Sequence, residues 1–201
     1  MNLFQRIEQL GGALSLPQRT VTRAKMLGAR NREKSRDAGF LHVAVYLFLA
    51  GKIEETFLQL DVILQRTDEV CGGRLAFSRE QGRLIDRAIE IEDRLLKSIG
   101  FFFSFKTPQQ MIQDYARRGV LDSVSEKVAL TVANDIVTEE KCFVFSTNDI
   151  ACGCIVFSFV LCGHAYKDRK WYCQDTEVCF PACTEKVAGV CDLLCSLYKT
   201  I

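Results

Sequence analysis

The sequence contains only three prolines and two histidines, and no tract rich in glycine or serine. That composition carries no signature of a disordered tail or a long linker. Histidine is the side chain that titrates nearest neutrality, so general acid–base chemistry has few candidates here. His42 lies inside an apolar stretch and reads as a satisfied core residue. A phosphate-cradling loop ending in Lys-Ser or Lys-Thr is also missing, since Gly11-Gly12 and Gly72-Gly73 are isolated pairs that suit turns. A catalytic role is therefore not expected. Long apolar runs are lacking too: Ala38 to Gly51 and Ile150 to Gly163 are fourteen residues each, against the roughly 20 that a membrane-spanning helix needs. They read as core helices, and no membrane partner is expected. The opening MNLFQRIEQL has neither a long apolar core nor a small-residue cleavage site, so it does not read as a secretory signal. The ten cysteines are then expected to be reduced thiols in the cytosol or nucleus.

What is present is enough apolar material for a substantial core, 48% of 201 residues, in one large domain or two small ones. The net charge of +1 conceals an asymmetry. Residues 1 to 120 hold 19 Lys/Arg against 14 Asp/Glu, and residues 121 to 201 hold 7 against 11. A diffuse +5 in the first part is modest for a nucleic-acid binder and fits an ordinary solvated helix surface.

Apolar periodicity points to helices. Between Gln81 and Ile99, the residues Leu84, Ile85, Ala88, Ile91, Leu95, Leu96 and Ile99 recur at spacings of three and four, the pattern of one helix with a wide buried face. Thr107-Pro108 opens another helix with proline at its first position. The remaining spacing predicts helices near 17 to 33, 37 to 52, 57 to 69, 80 to 99, 107 to 118, 123 to 138, 148 to 163, 176 to 186 and 186 to 198. Lys141 to Phe145 is the best strand candidate, although a helix end or turn explains it equally well, and the chain is read as all-α. A shift of 112 residues sets DAGFLHVAVYLFLAGK (residues 37 to 52) against DIACGCIVFSFVLCGH (residues 149 to 164). Two such segments suggest a duplicated helical unit with a boundary near Gly119 to Asp122, giving regions 1 to 120 and 121 to 201.

AGKIEE, preceded by the apolar run and followed about forty residues later by IEDRLLKSIGF, resembles the cyclin box in both residues and spacing. LPQRTVTRA, residues 16 to 24, looks like the start of that family's first helix, and KTPQQMI, residues 106 to 112, looks like its fifth. The resemblance covers residues 14 to 118 and extends more loosely to NDIACGCIVFSFVL and to KDRKWY, residues 167 to 172. It is closer to the transcription-type cyclins (T, K, L, C and H) than to the mitotic ones. The substrate-docking motif Met-Arg-Ala-Ile-Leu is absent, so substrate recruitment through that patch is not expected.

The resemblance implies two five-helix cyclin-box repeats, the second compact and divergent. It implies a non-catalytic regulatory subunit in the nucleus that binds the N lobe of a cyclin-dependent protein kinase and acts on the RNA polymerase II C-terminal domain. Carried over residue by residue, Lys52 and Glu92 match the pair that clamps the kinase C helix. Leu49, Ile53, Leu96, Phe101 and Phe103 match the apolar surface that receives it. Glu54 and Glu55 are expected to cap or bridge within the fold. The alternative is a scaffold of the same fold that binds DNA or other factors in the manner of general transcription factor B. Such a scaffold would need a basic second repeat, whereas this one is acidic, so direct nucleic-acid binding is not expected.

Nine of the ten cysteines lie between Cys142 and Cys195. Pairs such as Cys179/Cys183 and Cys191/Cys195 could share a zinc ion on helices, with His164 joining, but no pair has Cys-x-x-Cys spacing. Most alternate with apolar residues as small core fillers do. No metal and no cofactor are expected.

Overall fold

The computed structural model describes residues 2–31, 39–163 and 184–199. Their regular structure is entirely helical, and they fall into two compact units, residues 1–105 and 106–201.

The first unit contains α1 (Leu3–Ala13), α2 (Gln18–Arg30), α3 (Phe40–Ile53), α4 (Leu60–Val70) and α5 (Phe77–Ser98). The helix α3 packs against the other four. That position explains its composition: Leu41, Val43 to Leu47, Leu49 and Ala50 are all buried, so nearly every direction around the helix meets a neighbour. Its end is set by Glu54 and by Glu55, whose φ of +53° breaks the helical run. Gly51 permits the chain to fold back tightly there, because a Cβ at this position would stand 2.5 Å from Leu58 Cδ1.

The apolar spacing predicts no helix before residue 17, yet α1 is a well-formed element. Asn2 accepts from the Gln5 backbone N–H while the Gln5 side chain accepts from the Asn2 N–H, satisfying two donors at the helix start. Phe4, Ile7 and Leu10 are buried on one side, and the helix packs against α2, α3 and α4. A helix this short draws its stability from such docking, which periodicity over eleven residues signals weakly.

The second unit holds α6 (Pro108–Arg117), α7 (Ser123–Ile136), a 3-10 turn (Glu140–Val144), α8 (Thr147–Leu161) and α9 (Glu185–Lys199). Here α8 is the central helix, packing against α6, α7 and α9. It is buried at Ile150 to Val156, Ser158 and Phe159. Ser146 and Asp149 cap it reciprocally. Each unit is thus built around one helix of the pair that the 112-residue shift aligns.

Two expectations shift. The resemblance makes α6 the fifth helix of the first repeat, with a boundary near Gly119 to Asp122; the compact units divide at Phe105, and Ile112 and Tyr115 of α6 are buried in the second core. The first unit instead has its five helices in α1 to α5. Lys141 to Phe145, the strand candidate, lies largely in the 3-10 turn, with Cys142 buried. The segment KDRKWY and nearly all of the helix expected at 176 to 186 lie outside the described residues.

Candidate functional site

The helix α5 carries more apolar surface than its own core uses. Leu84, Ala88, Ile91 and Leu95 form the buried stripe. Alongside runs a second line, Ile85, Ile89, Glu92 and Leu96, again at spacings of four, three and four. On this second line Ile89 is exposed, and Ile85 and Leu96 are half-buried, so the apolar face continues past the core into solvent. Beyond the helix, the Phe101 N–H bonds to the Leu96 carbonyl at 3.1 Å, with Gly100 and Phe101 both at positive φ. This tight reversal leaves Phe101 59% exposed and Phe102 similarly open.

Lys52 and Glu92 meet across α3 and α5. Lys52 Nζ donates to Glu92 Oε1 at 2.7 Å, and the ammonium also lies 4.1 Å from the Phe48 ring centroid. The pair is asymmetric: the Lys52 side chain is 50% exposed and that of Glu92 only 11%. Lys52 occupies the last turn of α3, where the helix dipole favours a cation. An ammonium has three donors, so with one on Glu92 it retains capacity to bond a partner on its solvent side. The patch sets an ion pair beside uncovered apolar side chains, a combination with the chemistry that a docking surface would need.

The other expected site residues divide. Ile53, Leu96 and Phe103 are half-buried, and Phe101 is exposed. Leu49 is only 3% exposed, so it belongs to the core and offers almost nothing to a partner. Its position inside the all-round apolar α3 decides this. Sequence reasoning missed Ile89, Phe102, Phe48 and Phe57. Ile89 was legible from its spacing to Ile85 and Glu92, whereas the exposure of Phe57 depends on how the segment after α3 folds back.

A buried ion pair underlies the region. Arg23 of α2 donates from Nε to Glu54 Oε1 at 2.6 Å, and both side chains are almost wholly buried. Arg23 also donates to the Phe105 carbonyl and stacks over the Phe105 ring, 4.6 Å from its centroid. Glu54 therefore bridges within the fold, as expected. Lys25, fully buried, is paired with Glu8.

His42 departs from its expected role as a core residue. It is half-buried, and burial together with Arg94 and Arg87 pushes its pKa below the ordinary 6.5. In the second unit Cys142, Cys152 and Cys154 are buried among apolar side chains. Burial lifts the Cys152 thiol to about 11 and that of Cys191 likewise. Among the described residues no three His, Cys, Asp or Glu side chains gather as a metal site would require. Cys173, Cys179, Cys183 and His164 lie outside those residues. No described helix is long and apolar enough to cross a membrane.

No protein-family model matches the sequence, and no curated protein matches it. The structure is similar to a chain in the crystal structure of the yeast RNA Pol II CTD kinase complex CTDK-1, with a TM-score of 0.74 at 16% identity. The match covers 98% of this chain and 64% of that one, so this protein spans somewhat under two thirds of the chain it resembles. At that identity the likeness is one of architecture, and the all-α arrangement of this chain is a cyclin-like fold.

Proposed function

We propose that this protein is a cyclin: a non-catalytic subunit that binds the N lobe of a cyclin-dependent protein kinase through its first unit and activates it. The observation that carries the reading is the Lys52 and Glu92 pair beside the uncovered apolar line of α5. The cyclin-like fold, and its likeness to a chain of a kinase complex, support it. The surface would receive the kinase C helix, with its apolar side chain against Leu96, Ile53, Phe101 and Phe103, and with Lys52 and Glu92 fixing the register. Pressing that helix inward lets its glutamate pair with the ATP-positioning lysine. The binding energy goes into selecting the active conformation of the kinase. The further reading is of the transcription type, acting in the nucleus on the RNA polymerase II C-terminal domain, and rests on the sequence resemblance together with the fold.

The test is co-expression of the full chain with candidate cyclin-dependent kinases, comparing wild type with the double variant Lys52→Ala/Glu92→Ala. Phosphorylation of a polymerase C-terminal repeat peptide is the activity readout. Wild type is expected to co-purify with one kinase and activate it, and the double variant to lose about thirtyfold or more in affinity, the scale of an interface hot spot. Failure of wild type to bind any such kinase, or full binding by the double variant, would overturn the reading.

A further inference from the structure

The side chain of Phe57 is 86% exposed, the most open of the large apolar residues among those described. It lies at a groove of about 390 Å³ whose lining includes Phe48, Gly51, Lys52 and Leu58. An exposed aromatic on a loose loop would carry little information, but here the backbone just before it is tied down. The Thr56 N–H bonds to the Gly51 carbonyl at 2.8 Å, and the Thr56 and Thr20 hydroxyls lie 2.9 Å apart in a hydrogen bond. Glu54, two residues before Thr56, is held by Arg23. Between them Glu55 adopts φ +53°, and this left-handed residue just past the helix, together with the Thr56 bond to Gly51, forms the C-cap of α3. This cap fixes where the chain leaves α3, and Phe57 follows directly from it, exposed at the groove.

We propose that Phe57 is a preorganised anchor which the kinase N lobe covers on docking. This inference rests on the cyclin reading above and extends its surface past Lys52. Continuity assigns the occupant, because Lys52 lines the groove and at the same time pairs with Glu92 at the edge of the α5 surface. A body seated on that pair lies against the Phe57 side of Lys52. A rigid aromatic loses little conformational entropy on burial, which is what makes such residues effective anchors. The complementary feature on the kinase is a shallow apolar depression bordered by carbonyl or carboxylate oxygens that can accept from Lys52.

The test measures the affinity of the full-length chain for the kinase that co-purifies with wild type, for Phe57→Ala, Phe57→Leu and, as a control, Val144→Ala, an 83% exposed apolar residue of the second unit. Phe57→Ala should weaken binding about thirtyfold, Phe57→Leu should retain most of it, and Val144→Ala should bind as wild type. All three should melt at the wild-type temperature, since exposed side chains contribute little to folding. If Phe57→Ala binds as tightly as wild type while Lys52→Ala/Glu92→Ala does not, the anchor is refuted and the cyclin reading stands. If wild type binds no kinase, both fail together. Sedimentation showing a wild-type dimer that Phe57→Ala abolishes would assign the groove to a second copy of this chain and overturn the proposal.

Discussion

Replacing Arg23 by alanine tests how the end of α3 is held in the first unit. The Arg23 and Glu54 side chains are 5% and 6% exposed, so the substitution leaves a carboxylate inside the protein without its main counter-charge. It also removes a donor from the Phe105 carbonyl and a cation from the face of the Phe105 ring. Breaking one side of a buried pair costs about 3–5 kcal/mol. That is a large fraction of the roughly 5–15 kcal/mol by which a domain is stable. With a urea slope of about 2 kcal/mol/M, the midpoint of equilibrium unfolding should fall by about 2 M. The double variant Arg23→Met/Glu54→Leu removes both charges and fills the space with apolar atoms, and it should recover most of the loss. Urea unfolding followed by circular dichroism reads both. A loss below about 1 kcal/mol for Arg23→Ala, or a double variant as unstable as the single one, would show that the pair is solvated or that its packing dominates its charge.

Two further outcomes follow from particular contacts. The pKa of His42 lies below 6.5 in the folded protein through burial and the proximity of Arg94 and Arg87. The unfolded chain therefore takes up this proton first as pH falls. The stability associated with neutral His42 is complete above the unfolded value and declines as pH drops through 6.5 toward the folded one. The Tm of His42→Gln should accordingly fall less between pH 7.5 and 5.5 than that of wild type, and parallel falls would sink the assignment. In the second unit, a Cβ at Gly153 would stand 2.4 Å from Val190 Cγ1, so Gly153→Ala must push α8 and α9 apart. The expected cost is about 1–3 kcal/mol, relieved only in part in Gly153→Ala/Val190→Ala because the remaining Val190 Cβ would still stand 2.7 Å away, and an unchanged melting temperature for the single variant would contradict the packing.

Much of the candidate site was legible before any coordinates. Lys52 and Glu92 are singled out by the resemblance of AGKIEE and IEDRLLKSIGF to the cyclin box, whereas local spacing alone marks Lys52 only as a helix-end cation and Glu92 only as one charge within a periodic helix. Leu49 matches the family's apolar surface by resemblance alone, and a helix that is apolar all round offers no periodicity that would place it in the core instead. The same ambiguity hid α1, whose three buried side chains acquire meaning only against α2, α3 and α4. It also affected α6, since a proline-initiated helix announces where it begins but not which core receives Ile112 and Tyr115.

Spacing and composition along the chain are enough for the all-helical class and for the two apolar helices at the centres of the two units. These follow from local spacing and composition, which act over one or two helical turns. Only the tertiary structure decided that Lys52 and Glu92, forty residues apart, form one ion pair. It alone showed that Arg23 closes on Glu54 beneath them and that Phe57 stands open at the groove. Pairing and exposure depend on which helices pack together and how closely, and that is settled by burying the whole apolar surface at once rather than by any single segment.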